Sequence, residues 1–405
     1  MDVSSNAVIV GGGPCGSFAA LNLARHGVRA TVFEEHDEVG IPPHCAGHLS
    51  IKGLKHLGLY PLPKKIVESE FYGAVFHSPK GKCFSIHFSQ PITCAVNRTL
   101  FDEHVAKMAQ DIGASYHLDS RVESLIIENG FVRGVTVKRS GDTEEKFPAK
   151  VVINAEGISS RILRQSGLSS LKCHMLVNAV HAEVENVKDA EEDTIEVFLG
   201  RDYAPGFYAW FIPKRDGKAK IGLATKTGNP RDLLQRLMLK HPIASKKLHE
   251  ARVLRTSLHP ISLSGPIPKT YSDGFLTVGD AASQVKPTTG GGVILGMTCA
   301  RIAAQVVYEA FQRNDFSAEF LSTYQKQCKK NLGFDMNVML RIRKMLNTIS
   351  DQKLDDVISF LSRIGVDKAL QNIGDLDFQG QTLIRALRYP QTLTALIYFC
   401  LLYLL

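Results

Sequence analysis

None of the eight cysteines, Cys15, Cys45, Cys83, Cys94, Cys173, Cys299, Cys328 and Cys400, stands in a C-x-x-C pair. Structural zinc and iron–sulfur centres are built from closely spaced thiolates, so neither is expected. Only six residues precede the first apolar stretch, too few for a secretory leader, and free thiols in a reducing cytoplasm are the expectation. Dense lysine or arginine runs are also missing. The net charge of +8 is scattered along the chain. That balance suits anionic partners such as lipid headgroups and acidic redox proteins, and argues against nucleic-acid binding. No apolar run reaches the roughly 18 residues that suggest a membrane-spanning helix. Internal repeats and low-complexity linkers are absent, and Trp210 is the single tryptophan. A chain of 405 residues can bury a large core and is expected to form two domains.

What is present is concentrated first in Met1–Glu34. Ala7-Val8-Ile9-Val10 predicts a short buried strand, and Gly11-Gly12-Gly13-Pro14-Cys15-Gly16 has the spacing G-x-G-x-x-G. Ser17–His26 reads as an amphipathic helix stopped by Gly27, and Arg29–Phe33 as a second strand ending in Glu34. Gly11 suits the tight turn, Gly13 a close approach of pyrophosphate to the backbone, and Gly16 close packing of helix on sheet. The helix start offers free N–H groups to phosphates. Glu34, 18 residues beyond Gly16, is placed to accept hydrogen bonds from the two hydroxyls of an adenosine ribose. Strand, glycines, helix, strand and acid in that order predict dinucleotide binding.

Farther on, Gly40–His48 is rich in turns and carries Pro42, Pro43 and Cys45. Phe71–His77 and Cys83–Phe88 predict strands, Asn97–Ile112 a helix, and Arg121–Ile127 with Val132–Lys138 a hairpin turning at Glu128-Asn129-Gly130. Lys150–Asn154 is a buried strand followed by Ala155-Glu156-Gly157. Met175–Val184, Thr194–Leu199, Phe207–Ile212 and Ala219–Ala224 read as strands of a second domain. Gly274–Val278 returns as an apolar strand ending in Gly279-Asp280-Ala281-Ala282. Thr288-Thr289-Gly290-Gly291-Gly292 then opens a helix running to Phe311, and residues 317–405 are mostly helical.

The first glycine fingerprint, the A-x-G after a mid-chain strand and the late G-D-A-A together resemble FAD-dependent oxidoreductases of the p-hydroxybenzoate hydroxylase type. Within that group the chain is similar to the archaeal geranylgeranyl reductase family. The features that carry this are the P-x-x-C-x-G loop, Pro42-Pro43-His44-Cys45-Ala46-Gly47, and an aromatic stretch, Tyr208-Ala209-Trp210-Phe211-Ile212-Pro213, followed by Gly222-Leu223-Ala224. Four positions depart from the family pattern. Glu156 stands where the group has Asp, His48 where the branch often has Gly, Ile212 where it has Phe, and Ala224 where it has Gly.

The resemblance implies an α/β fold: a Rossmann-type FAD-binding domain with an inserted mixed or antiparallel sheet for substrate, and a C-terminal helical region. The expected bounds are 1–170 with 270–315 for the FAD domain, 171–269 for the substrate domain with strands from 71–95, and 316–405 for the helices. The cofactor contacts it implies are Gly11, Gly13, Cys15, Gly16, Glu34, Cys45, Ala46, Gly47, His48, Arg98, Val122, Asp280, Gly291, Gly292 and Val293. Asp280 is expected near the ribityl or pyrophosphate region, Arg98 near the pyrophosphate, and the Gly291–Val293 helix start at the flavin O2 end.

The implied reaction saturates C=C bonds of geranylgeranyl chains in archaeal ether lipids or their precursors. Such an alkene carries no electron-withdrawing group, so hydride delivery is expected to accompany proton addition at the other carbon. Cys45 is the leading candidate for proton donor or positioning residue, with His44 and His48 as alternatives. Tyr208 and Trp210 alternate on one strand, share a face, and are expected to wall an apolar tunnel; a packing role is the alternative. No second glycine fingerprint is present, so an external donor, ferredoxin or reduced nicotinamide, is expected. The competing functions are an FAD monooxygenase acting on an aromatic or quinone substrate, and a lipid-binding flavoprotein without alkene chemistry. The apolar tail Thr392–Leu405, downstream of Arg385 and Arg388, either packs on the protein or dips into a membrane. The expected location is cytoplasmic; in the second of these cases the contact is peripheral, at the inner face of the cell membrane through 381–405.

Overall fold

The computed structural model describes residues 6–139, 144–171, 173–371 and 376–404. Met1–Ser5 of the opening stretch and Leu405 of the tail lie outside the described residues. Contacts divide the chain into two compact units. One holds Met1–Pro43, Arg98–Met175 and Ser262–Met336; the other holds His44–Asn97, Leu176–Ile261 and Asn337–Leu405. The expected helical region 316–405 is thus divided between Met336 and Asn337, inside the helix Ala318–Thr348.

The first unit is built on a six-stranded sheet. Its order is Tyr271–Ser272, Phe275–Thr277, Val151–Asn154, Asn6–Val10, Arg29–Phe33, Ser115–His117. All neighbours are parallel except the Tyr271–Ser272 edge. Parallel strands covered on both faces read as continuous apolar runs, and Ala7, Ile9, Val151, Val152 and Ile153 are fully buried. The Pro14–Arg25 helix returns the chain from the first strand to the second and packs against the helices Arg98–Asp111 and Val293–Arg313. The predicted hairpin forms from Ser120–Glu128 and Phe131–Arg139. Asn129 and Gly130 both take positive φ at its turn, as an Asn-Gly connection favours.

The second unit contains a seven-stranded sheet ordered Arg252–Ser262, Leu176–Glu185, Ala219–Thr225, Ala209–Pro213, Thr194–Phe198, Gly73–His77, Cys83–His87. Side chains alternate between two faces. Val180, Ala182, Ala209, Phe211, Ile221 and Leu223 form one face, which packs with Leu233, Leu234 and Leu237 of the helix Pro230–Lys240. Trp210 and Ile212 point the other way and pack with Phe71, Ala95 and Ala46. Phe71 and Ala95 belong to a small antiparallel sheet, His48–Ser50, Thr93–Val96 and Val67–Phe71.

The C-terminal helices Asp351–Ile364 and Pro390–Leu404 belong to the second unit. Asp355, buried, accepts from Ser78 Oγ at 2.5 Å and Lys80 N at 3.0 Å, tying the first of these helices to the Gly73–His87 hairpin. The Pro390–Leu404 helix stacks Tyr398 on Phe360, ring centroids 4.1 Å apart, and sets Ala395 against the Phe84–Ile358–Val366 cluster. Its Leu393 and Ile397 point away from those contacts and remain about half exposed. Among the described residues, one helix, Val293–Arg313, is long and apolar enough to cross a membrane, but 72% of the qualifying window is buried as a core helix of the first unit.

Candidate functional site

In the first unit the glycine turn is dictated by space. Gly11 has φ +95°, which favours glycine, and a Cβ there would stand 2.6 Å from Ala155 O. A Cβ on Gly16 would stand 1.9 Å from Gly11 O, so the helix can begin against the turn only with glycine at 16. Gly13 differs, because no heavy atom lies within 4 Å of where its Cβ would be. It caps the Pro14–Arg25 helix without any side-chain bond to the free N–H groups. Open space beside uncapped helix N–H groups fits a pyrophosphate, and with it the FAD that the fold implies.

Glu34 closes the next strand. Its Oε2 accepts from Gly12 N at 2.7 Å, and its Oε1 lies 3.1 Å from His36 N and 2.6 Å from His36 Nδ1. A ribose contact would share this carboxylate with both groups. Arg98 grips Asp102 through Nη2–Oδ2 at 2.8 Å and two longer bonds to Oδ1. Burial pushes the Asp102 carboxyl up, and Arg98 opposes that shift.

Asp280 lies in the turn Gly279–Ala282, and a Cβ on Gly292 would come within 2.9 Å of its Oδ1. Gly292 caps the Val293–Arg313 helix with no side-chain bond. The turn before it is closed by Gly290 N donating to Lys286 O at 2.8 Å and Lys286 N donating to Gly291 O at 3.1 Å. Asp280, Gly291, Gly292 and Val293 are thus brought together at one helix start. Cys15, on the Pro14–Arg25 helix, packs against the Gly279–Ala282 turn and the Val293–Arg313 helix, its Sγ 2.9 Å and 2.6 Å from where Cβ atoms on Gly279 and Gly296 would stand. Burial, then the Asp280 charge, holds this thiol far above its ordinary range.

Two residues of the same unit have structural surroundings. The Val122 side chain is buried in the core with Val8, Phe33 and Val135, so a cofactor could meet only its backbone. Glu156 accepts from the backbone N–H groups of Arg161, Ile162 and Leu163 at 2.7–2.9 Å, capping a short helix. The acid at this position therefore serves the backbone.

In the second unit Cys45 lies in the loop before the His48–Ser50 strand, and Gly47 N approaches its Sγ at 3.4 Å. His44 stacks on His259, ring centroids 4.6 Å apart. His48 pairs with Ala95 in the small sheet and meets Phe71 edge-on. Tyr208 directly precedes the Ala209–Pro213 strand that carries Trp210, rather than lying on it, and its ring meets the indole edge-on, ring centroids 6.1 Å apart. Burial pushes the Tyr208 hydroxyl up to about 12.

Three residues on that side of the sheet escaped the sequence reading. Lys220, 2% exposed, donates to Ala46 O and Val96 O at 3.0 Å each and pairs with Glu68. Burial lowers its pKa against the pull of Glu68. His181 lies in the same cross-strand row as Gly222 and Trp210, and burial lowers it to about 4, so it is neutral at physiological pH. Arg343 covers the Phe207 ring at 4.6 Å. The only signal for Lys220 was a lysine inside the apolar run Ala219–Ala224.

Residues 4–332 match the FAD binding domain family. The chain is 33% identical over 364 residues to digeranylgeranylglycerophospholipid reductase 2 of Methanopyrus kandleri, covering 88% of this chain and 90% of that one. It is 32% identical over 400 residues to the protein of the same name from Methanothermobacter thermautotrophicus, covering 96% and 98%. A solved structure, a geranylgeranyl bacteriochlorophyll reductase-like protein from Thermoplasma acidophilum, is similar with a TM-score of 0.85 at 26% identity, over 97% of this chain and 98% of that one. The chain belongs to the digeranylgeranylglycerophospholipid reductase family of FAD-binding oxidoreductases.

Proposed function

We infer that this chain is an FAD-dependent reductase that saturates double bonds of geranylgeranyl chains in archaeal membrane ether lipids or their precursors. The observation that carries the reading is near end-to-end similarity to reductases named for that substrate, at 32% identity over 96% of this chain for one of them.

In this reading Gly11, Gly13, Cys15, Gly16 and Glu34 hold the adenosine and pyrophosphate side of FAD, with Arg98 and the backbone at Val122 contributing. Asp280 and the helix start Gly291–Val293 hold the side nearer the reacting ring; for Cys45, Ala46, Gly47 and His48 the assignment as cofactor contacts rests on the family resemblance. When bound and reduced, FAD supplies the hydride. A trisubstituted alkene reacts by developing positive charge at its tertiary carbon, so the protein's tasks are positioning and exclusion of water. Tyr208 and Trp210 wall the prenyl chain with aromatic surface. Cys45 serves as proton donor or as the group that sets the alkene. The electron donor is external, ferredoxin or reduced nicotinamide.

A peripheral contact with the cytoplasmic face of the membrane completes the proposal. It is supported by the exposed Ile384, Leu393 and Ile397 beside exposed Arg385 and Arg388, since apolar residues flanked by basic ones suit an interface with anionic lipid.

The test is spectroscopic. The FAD-loaded protein is reduced without oxygen and mixed with a geranylgeranyl lipid. Return of the oxidised flavin spectrum at a rate set by lipid concentration supports the reading. A flavin that stays reduced until air is admitted contradicts it.

A further inference from the structure

We infer that Lys220 is a positioning residue whose buried ammonium fixes the Cys45 turn. A tripod of acceptors surrounds its Nζ. An ammonium group has three N–H donors and no acceptor. Lys220 Nζ finds Ala46 O at 3.0 Å, Val96 O at 3.0 Å, and the Glu68 carboxylate. Glu68 is itself held by Lys214 Nζ at 2.8 Å, so the carboxylate stays in place from two sides. All these groups belong to the second unit.

The backbone around Cys45 shows what the tripod controls. Ala46 directly follows the cysteine, and its carbonyl is taken by Lys220. The next carbonyl, Gly47 O, accepts from Val96 N at 2.9 Å. His48 then pairs with Ala95 in the small sheet. Val96 O, the other backbone arm of the tripod, lies on the strand that Gly47 and His48 join. Lys220 therefore clamps the cysteine turn to the Thr93–Val96 strand at the residue where regular pairing begins. Cys45 sits one residue outside the clamp, with its Sγ turned back toward Gly47 N. Without the ammonium, the buried Val96 carbonyl and the partly buried Ala46 carbonyl lose their charged donor, and the thiol loses the anchor that sets its direction. A buried ion pair is weak evidence for stability as such, because desolvation offsets the attraction. Its use here is geometric.

The consequence for turnover rests on the reading that Cys45 acts beside the substrate; the thiol measurement does not. In the FAD-loaded full-length protein, iodoacetamide labelling of Cys45 is measured by peptide mass spectrometry relative to exposed Cys83. Lys220→Met is expected to raise the Cys45-to-Cys83 ratio about tenfold or more, the scale set by loss of buried charged hydrogen bonds. Lys214→Met, which touches the same carboxylate but neither carbonyl, is expected to leave the ratio unchanged. In turnover, Lys220→Met is expected to lower kcat with KM and flavin content retained. An unchanged labelling ratio in folded Lys220→Met protein overturns the assignment. Should that variant fail to fold, Lys220→Gln, which stays polar but loses the ammonium that reaches both carbonyls, decides: a raised ratio supports the clamp and an unchanged one overturns it. If Cys45→Ser keeps full turnover, the catalytic role of the thiol fails while the labelling result still judges Lys220.

Discussion

The Trp210 indole occupies the space above Gly222: a Cβ at 222 would stand 2.4 Å from Trp210 Cζ2 and 2.5 Å from Val180 O. The two residues are paired across neighbouring strands, so the glycine is what allows the large ring to lie against the sheet. Gly222→Ala is expected to push the ring outward and to cost about 1–3 kcal/mol of stability, as overpacking does. Because Trp210 is the only tryptophan, its fluorescence reports the displacement directly. A changed emission maximum with a raised KM for the prenyl substrate is the expected result; unchanged emission and KM would remove Trp210 from the substrate wall.

Gly13 and Gly16 separate cofactor binding from folding. Nothing lies near a Cβ at Gly13, whereas one at Gly16 collides with Gly11 O. Gly13→Ala is expected to keep the melting temperature of the flavin-free protein close to that of the parent while lowering FAD affinity about tenfold or more, as loss of a close backbone–phosphate approach implies. Gly16→Ala is expected to lower both. Equilibrium titration of flavin fluorescence, with thermal unfolding of the flavin-free proteins, checks the pair. Normal FAD affinity in Gly13→Ala would move the pyrophosphate elsewhere.

Acid sensitivity should trace to buried imidazole. His181 is held at about 4 by burial, against 6.5 for an ordinary histidine. Between those values the unfolded chain binds a proton that the folded chain refuses, so stability falls as pH drops through that window. The gap is worth at most about 3 kcal/mol. His241, also lowered to about 4 with burial as the main cause, acts in the same direction. Thermal unfolding from pH 7 to pH 4 should show a shallower decline in His181→Gln than in the parent, with the remainder reduced further by replacing His241. Parallel curves for parent and His181→Gln would contradict this.

The tail helix offers a test of membrane contact. Leu393 and Ile397 are one helical turn apart and exposed, while Ala395 and Tyr398 face the protein. Replacing both exposed residues by glutamate should leave the fold intact and weaken co-sedimentation with anionic vesicles about tenfold or more, given the apolar area withdrawn from lipid. Equal sedimentation of parent and variant would exclude this face as the contact.

Much of the fold could be read before the structure, for local reasons. The G-x-G-x-x-G turn and the Asn129-Gly130 hairpin are each written in a few neighbouring residues. The small sheet was less legible. Its His48–Ser50 and Thr93–Val96 strands are only three and four residues long and find partners far away in the chain. The Arg252–Ser262 strand was missed because it lies at a sheet edge and is mostly exposed, so its sequence has no buried alternation to betray it. Lys220 was illegible for another reason. A lysine inside an apolar strand has meaning only once Ala46, Val96 and Glu68 have been brought around it by pairing between distant segments.

The central claim is alkene saturation by bound, reduced FAD, and the mass of the lipid product tests it most directly. The FAD-loaded protein is incubated without oxygen with excess reductant and a digeranylgeranyl glycerophospholipid, and the lipid is then weighed by mass spectrometry. The account predicts a ladder of products, each heavier by two hydrogens per saturated bond. A lipid of unchanged mass, or one that gains oxygen only when air is admitted, would contradict it.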